Sequence, residues 1–421
     1  MRNLRLFGEW FALAAATLLL VLLAWQQEWT HRLDASLLDF ATELRPGERS
    51  DEIVMVAIDD RGLAEIGNWP WDRDRHADLI EQLMVHDPKL IVFDILFLDP
   101  INPESDQRLA EAIDAAGNVL LPHTFGPAPG TETELVPLMP LASLSQAAAG
   151  VGHVSVEPES DGVVRQFALE FEASGRSYDH LAKVALRETG ADLSEIPSGI
   201  VPMQESGSFT TVSVADIVEQ RIATEFLRDK IVLIGSTAQG LGDRYAVSAF
   251  GGRIMPGVEI QANLLNGLLQ DQLVSESANP VVATILILAI AILFFVFWRA
   301  PPNWTLRISL ALIAVLAALS LSLVVFANLW LPVFPAILGI LLAYPVWGWR
   351  RLSSVSRFLE REAAAMSGGA RQQSISEGTG FDPVARQVSQ VRGLIGETRE
   401  RLTFLRSILS ASPDPMFVFD S

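Results

Sequence analysis

The chain has 421 residues, half of them hydrophobic, no cysteine, and a formal net charge of −19. That length allows two or three domains. The lack of cysteine excludes disulfides and thiolate metal sites, and the acidity argues against a nucleic-acid partner.

The elements are taken in chain order. Residues 1–9 form a short N-terminus with Arg2 and Arg5, and residues 10–25 form an apolar helix that Leu6 to Gly8 can lengthen if Glu9 lies at the interface. No small-x-small cleavage site follows Leu23, so this run is expected to stay as an uncleaved anchor. Residues 26–279 then hold 41 acidic and 17 basic side chains, against 9 and 14 in the rest of the chain. A domain of that size buries enough apolar surface to fold without disulfides.

Within it, Ile53 to Ile58 reads as a buried strand ending in Asp59 and Asp60, followed by a helix near 74–86. A second strand, Lys89 to Phe93, ends at Asp94, a helix spans about 105–116, and a third strand covers Asn118 to Leu121. Continuous β-branched runs separated by helices predict an α/β fold with a mainly parallel sheet covered on both faces. Phe125 to Pro140, rich in glycine and proline, reads as a long loop, and 151–156 with 163–171 as a hairpin turning at 158–162. A helix near 178–188, a strand at 230–234, a glycine-rich stretch at 235–244 and a helix at 258–269 complete the domain.

Three of these turns carry chemistry-bearing residues. Asp59, Asp60 and Arg61 leave the first strand, Trp69, Trp71 and Arg73 follow, and Asp94 closes the second strand. Ligands of open α/β sheets favour the carboxyl ends of strands, so these side chains form a candidate site for a cation or polar ligand. The plainer reading is that the acids cap helices and the tryptophans pack. Asp59 and Asp60, being adjacent, are expected on opposite faces, which argues against a carboxylate dyad. Asp161 and Arg165 flank a second candidate, an Asp-Gly turn whose plainer reading is a turn followed by a strand with an exposed arginine. The third, Gly235 to Arg244, places Asp243 and Arg244 after glycines that could offer amides to an anion, but it lacks nucleotide-binding spacing. No catalytic residue, metal ligand or cofactor is assigned, because the six histidines show no ligand spacing and no Gly-x-Ser-x-Gly elbow occurs.

Three further apolar runs follow, at residues 280–298, 308–326 and 329–349, each long enough to cross a hydrocarbon core of about 30 Å. Arg2 and Arg5, Arg299 and Arg307, and Arg350 and Arg351 flank the runs on one common side, which predicts cytoplasmic termini and an outer domain at 26–279. Residues 350–408 read as a cytoplasmic signalling helix interrupted at 367–380. There Val388, Ile395, Leu402 and Leu409 recur in heptads with Val391 and Leu405, a pattern that suits a parallel coiled-coil homodimer. An amphipathic helix packed on its own chain is the alternative.

The outer domain carries five motifs in a fixed order: VMVAIDDRGLAEIGNWPWDRDRHADLIEQL, KLIVFDILFLDP with Asp106 beyond it, VGHVSVEPESDGVVR, DKIVLIGSTAQGLGDRY, and MPGVEIQANLLNGLL. Together they resemble the CHASE2 extracellular sensory domain of bacterial receptors over about Leu33 to Gln270, and the three helices that follow are also typical of that family. The resemblance implies a multi-pass receptor of the bacterial cytoplasmic membrane that senses an unknown extracytoplasmic ligand. It also implies a cytoplasmic output, which in this family is a histidine kinase, a nucleotide cyclase or a serine/threonine kinase. Residues 409–421 resemble the opening of a PAS domain, which points to a histidine-kinase output in a two-component system; no histidine follows His180. An extracytoplasmic enzyme and a transporter subunit stand as alternative functions.

Overall fold

The computed structural model describes residues 2–45, 47–130, 134–191, 199–241, 244–248 and 253–367. The heptad positions, the PAS-like segment and Asp243 lie outside them. The chain opens with α1 (Arg2–Gln26) and, after a turn, α2 (His31–Glu43). Next come β1 (Ile53–Ile58), α3 (Asp60–Ile66), α4 (Arg73–Met84), β2 (Leu90–Phe93), α5 (Pro103–Ala116) and β3 (Val119–Pro127). Sequence sets these limits locally. For α5, the Asn102 side chain accepts from the Glu104 amide, Pro103 occupies the first turn, and Gly117 at φ 67° ends the helix.

Shorter elements follow: β4 (Leu135–Leu138), α6 (Ala142–Ala147), β5 (Gly150–His153), β6 (Val163–Val164), β7 (Gln166–Phe167), β8 (Glu170–Ala173), β9 (Arg176–Asp179) and α7 (Leu181–Glu188). After β10 (Gly199–Ile200), β11 (Thr210–Ser213) and α8 (Val214–Val218) come β12 (Ile231–Ser236), β13 (Arg244–Val247), β14 (Arg253–Pro256), α9 (Gly257–Leu269) and β15 (Ser275–Glu276). The chain continues through α10 (Asn279–Arg299), α11 (Pro302–Ala327), β16 (Leu329–Trp330) and α12 (Phe334–Ser367).

The main sheet runs β11-β1-β12-β2-β3-β5, with every neighbouring pair parallel. The expected α/β class and mainly parallel sheet are therefore present. Two expectations at its edge are corrected. The loop expected at 125–140 is instead largely paired: β3 runs on to Pro127 and pairs antiparallel with β4, so Pro127 and Pro137 sit in an edge ribbon where missing amide donors are tolerated. The hairpin expected from 151–156 and 163–171 does not form either. Strand β5 joins β3 in the sheet while β6 pairs with β13 and β7 with β10; only the turn survives, with Gly162 at φ 83°.

Alternate residues of the buried strands point to opposite faces and build two cores. Val54, Val56, Ile58, Ile91, Phe93, Val232 and Ile234 meet Leu79, Leu83 and Leu109 of α4 and α5. Ile53, Met55, Val92, Ile231 and Leu233 meet Leu181 of α7 and Ile260 and Leu264 of α9. Burying both faces explains why β1 and β2 carry no polar residue at all.

The apolar helices form a separate cluster in which α1, α10 and α12 pack together, with α11 alongside. Three of them are long and apolar enough to cross a membrane: Gly8–Gln26, Asn279–Arg299 and Trp304–Ala327. The run 329–349 is only partly helical. Leu329 and Trp330 pair with Ser275 and Glu276, and the helix starts at Phe334, which leaves fewer apolar helical residues before Arg350.

Candidate functional site

Arg165 sits where the sheet domain meets the helices. It follows the Asp161-Gly162 turn, yet the expected exposed arginine is in fact buried, with 4 % of its side chain accessible. Its Nε and Nη2 donate to the two Asp39 carboxylate oxygens of α2 at 2.8 and 3.0 Å, and Nη1 donates to Glu159 at 2.7 Å and Asp161 at 3.1 Å. A guanidinium fork suits this two-oxygen grip, and burial is tolerable because three carboxylates surround one cation. Burial disfavours the Arg165 charge, but the bonds to Asp39 and Asp161 and the nearby Glu159 outweigh it and raise its pKa. Burial raises Glu159 in spite of Arg165. For Asp161 burial also acts upward, but the Arg165 and Val163 hydrogen bonds win and lower it.

The same short helix α2 holds α12. Asp34 is buried, and its Oδ1 accepts from the backbone amides of Val333 at 2.8 Å and Phe334 at 3.0 Å, while Thr30 donates to Oδ2 at 2.9 Å. A carboxylate at a helix N-terminus satisfies amides that have no partner within the helix and complements the helix dipole. Burial pushes Asp34 up to about 6, against the pull of the Phe334 amide, the Thr30 hydroxyl, the Val333 amide and His31. His31 itself reaches Glu159 at 3.1 Å. Thus α2 grips the sheet domain through Asp39 and His31 and caps α12 through Asp34. Midway along α12, Arg350 pairs with Glu9 of α1 at 2.9 Å.

The strand-end residues are brought into one region but are occupied by structure. Asp59 accepts from the Gly62 amide at 2.7 Å and the Ser213 hydroxyl at 2.8 Å, on the β11 side, whereas Asp60 accepts from the Gln239 amide beyond β12. The two carboxylates therefore turn apart. Arg61 pairs with Glu65 and Asp216 on the surface. At the end of β2, the Cβ of Asp94 lies beside Gly235, where an added Cβ would come within 3.3 Å of it and 2.5 Å of Val258; this glycine serves close packing of α9 on β12. The loop amides of Thr237 and Ala238 both donate to the Ile58 carbonyl, so they offer no anion cradle, and Arg244 donates to the Thr237 carbonyl at 3.0 Å.

Trp69, Trp71 and Arg73 form a second unit around α4. Trp71 donates to the Gly67 carbonyl at 2.8 Å, and both tryptophans pack on His76. The Arg73 guanidinium lies 4.5 Å from the Phe97 ring centre, donates to the Asp99 carbonyl, and pairs with buried Asp106 at 3.5 Å. Burial, with Arg73 adding to it, pulls His76 down to about 3 and keeps it neutral. The other grouping that sequence spacing could not show is His123, His153 and His180, which come from β3, β5 and the start of α7 with ring centres 6.1 and 4.7 Å apart. Burial, then His123, draws His153 down to about 4. Among the described residues no group of three histidine, aspartate or glutamate side chains has the arrangement of a metal site.

The CHASE2 domain family model matches residues 15–299. Neither a search of curated proteins nor one of solved structures found a match. With more than half of its length matched, the chain belongs to the CHASE2 family, a family of extracellular sensory domains of receptors.

Proposed function

We propose that this CHASE2 protein is the input module of a transmembrane receptor, which takes up an extracytoplasmic stimulus in the 26–279 domain and passes it along α12 to a cytoplasmic output. One observation carries the reading: the same helix, α2, grips the sensory domain through Asp39 and caps the N-terminus of α12 through Asp34. A shift of α2 against Arg165 therefore acts directly on the helix that leaves toward 350–408. A stimulus works such a device by binding one arrangement of α2 more tightly than the other.

In this reading α12 makes a fourth crossing, with both termini inside. Support comes from its packing against α1 and α10 and from tryptophans at both ends of the bundle. Trp298, Trp304 and Trp349 are exposed at the end bearing the arginines, and Trp29 at the other, as in interfacial belts. The output is a histidine kinase, a reading that rests on the resemblance of residues 409–421 to the opening of a PAS domain, and the heptads at 388–409 make a homodimer, which rests on their spacing.

The natural chain has no cysteine, so single cysteines report cleanly. Ser36→Cys in α2 should react with an impermeant thiol reagent from outside and Leu352→Cys only after the cells are opened. Spin labels at these two positions should change their separation when Arg165 is replaced by methionine. An unchanged separation in a folded protein would rule out the relay.

A further inference from the structure

Below the Arg165 cluster lies a cavity of about 490 Å³, walled by the turn between α1 and α2, the β15 and β16 segments and the first turns of α10 and α12. Glu28, Asp34, Glu159 and Glu276 line it, and His31 is the only basic side chain among the described lining residues. Arg165 does not neutralise the wall, because its single charge is shared among Asp39, Glu159 and Asp161. Trp25 and Trp330 add two aromatic surfaces. Ser277, also in the lining, is 7 % exposed, and its hydroxyl has no hydrogen-bond partner among the described residues. A buried hydroxyl left without a partner is destabilising unless something else in the cavity satisfies it.

We propose that this cavity binds a small organic ammonium ion: carboxylates supply the field, Trp25 and Trp330 the π faces, and Ser277 the acceptor for an N–H. Tryptophan is the preferred partner for such cations, and a partly desolvated site strengthens both terms. Glu28 and Glu276 are exposed and stand at the rim, where they draw the cation in; Asp34 and Glu159 belong to the inner wall. The occupant lies against both grips of α2, so its presence would bias the Asp34 cap and the Arg165 cluster together. That last step rests on the receptor reading, whereas the binding site does not. The ammonium has two possible sources, a free amine in the medium or the headgroup of an aminophospholipid, because the cavity sits at the ends of α1 and α10.

The test uses the full chain in neutral maltoside micelles, titrated with putrescine by calorimetry. One putrescine per chain is expected, with succinate, a dianion of similar length, not binding. The Glu28→Gln/Glu276→Gln variant should bind about tenfold more weakly, as should Trp330→Leu, which keeps bulk and loses the π face. Ser277→Ala should also weaken binding, and Glu172→Gln, a remote exposed acid on β8, should not change it. Adding phosphatidylethanolamine, but not phosphatidylglycerol, abolishes putrescine binding if the lipid headgroup is the occupant; unaffected binding identifies the free amine. Absence of binding to the native chain, equal binding of succinate, or undiminished binding by the rim variant and Trp330→Leu overturns the site. Binding that leaves the label separation between positions 36 and 352 unchanged keeps the site and removes the relay.

Discussion

Replacing Arg165 with methionine removes the guanidinium that holds three carboxylates together while keeping an apolar stem of similar length. Its side chain is 4 % exposed and those of Asp39, Glu159 and Asp161 are 16–18 % exposed, so the acids left behind cannot be fully hydrated. Breaking a buried pair costs about 3–5 kcal/mol, and the partial exposure of the acids places this case near the lower end, at about 3 kcal/mol. The protein contains its own control. Arg221 also contacts three acids, Glu65, Asp216 and Glu219, but is 39 % exposed, and Arg221→Met should leave stability close to that of the wild type because water and salt screen those pairs. For a domain of this size Arg165→Met should lower the melting temperature by roughly 6–12 °C, and Arg221→Met should shift it far less, both read by circular dichroism in detergent. Arg165→Lys should fall between wild type and Arg165→Met, because an ammonium cannot serve both Asp39 oxygens and the other two acids. Adding Asp39→Leu to Arg165→Met should restore part of the loss. Equal shifts for Arg165→Met and Arg221→Met would refute the argument that burial makes this cluster the tie between α2 and the sheet domain.

Other consequences concern pH and packing. Asp34 has a folded value of about 6 against 3.8 in the open chain, so the folded state binds the extra proton between those values. Its contribution therefore falls as pH rises from about 4 to 6, by roughly 3 kcal/mol, and is constant above; Asp34→Asn, which retains an acceptor for the cap, should remove that slope in a pH series of melts. His153 has the opposite sign: with a folded value of about 4 against 6.5 unfolded, it destabilises the protein as pH drops through that window, and His153→Phe should flatten the acid side of the profile. A Cβ built on Gly339 would collide with Val21, so α12 and α1 touch there, and Gly339→Val should cost about 1–3 kcal/mol by overpacking and weaken a disulfide engineered between the two helices. Gly235→Val would push Val258 of α9 away from β12, and should lower the melting temperature by a comparable amount.

Much of this was legible in the sequence because it is local. Unbroken β-branched runs announced β1, β2 and β12, capping residues and glycines bounded α5, and uncharged stretches marked α1, α10 and α11. The acids at the strand ends were visible as residues but not as roles: whether Asp59 caps a helix or holds a ligand depends on Gly62 and on Ser213, which lies 154 residues away.

Pairing and charge burial were decided only by the tertiary structure. Strand β12 comes late in the chain yet inserts between β1 and β2, an order that no local pattern encodes because strand pairing joins segments far apart in sequence. The apolar run 329–349 loses its first residues from the helix because Leu329 and Trp330 find partners in Ser275 and Glu276. Arg165 looked like a surface residue after a turn, since an arginine's burial leaves no periodic mark and depends on where its acids are. One of those acids, Asp39, lies 126 residues earlier on a helix that composition alone did not separate from the rest of the outer domain. Sequence by itself determined an α/β domain of the CHASE2 family joined to helices apolar enough to cross a membrane; only folding placed α2 between that domain and α12, because Asp39, Asp34 and the apolar pair Leu38 and Ala41 find their partners Arg165, Val333, Ile200 and Val274 far away in the chain.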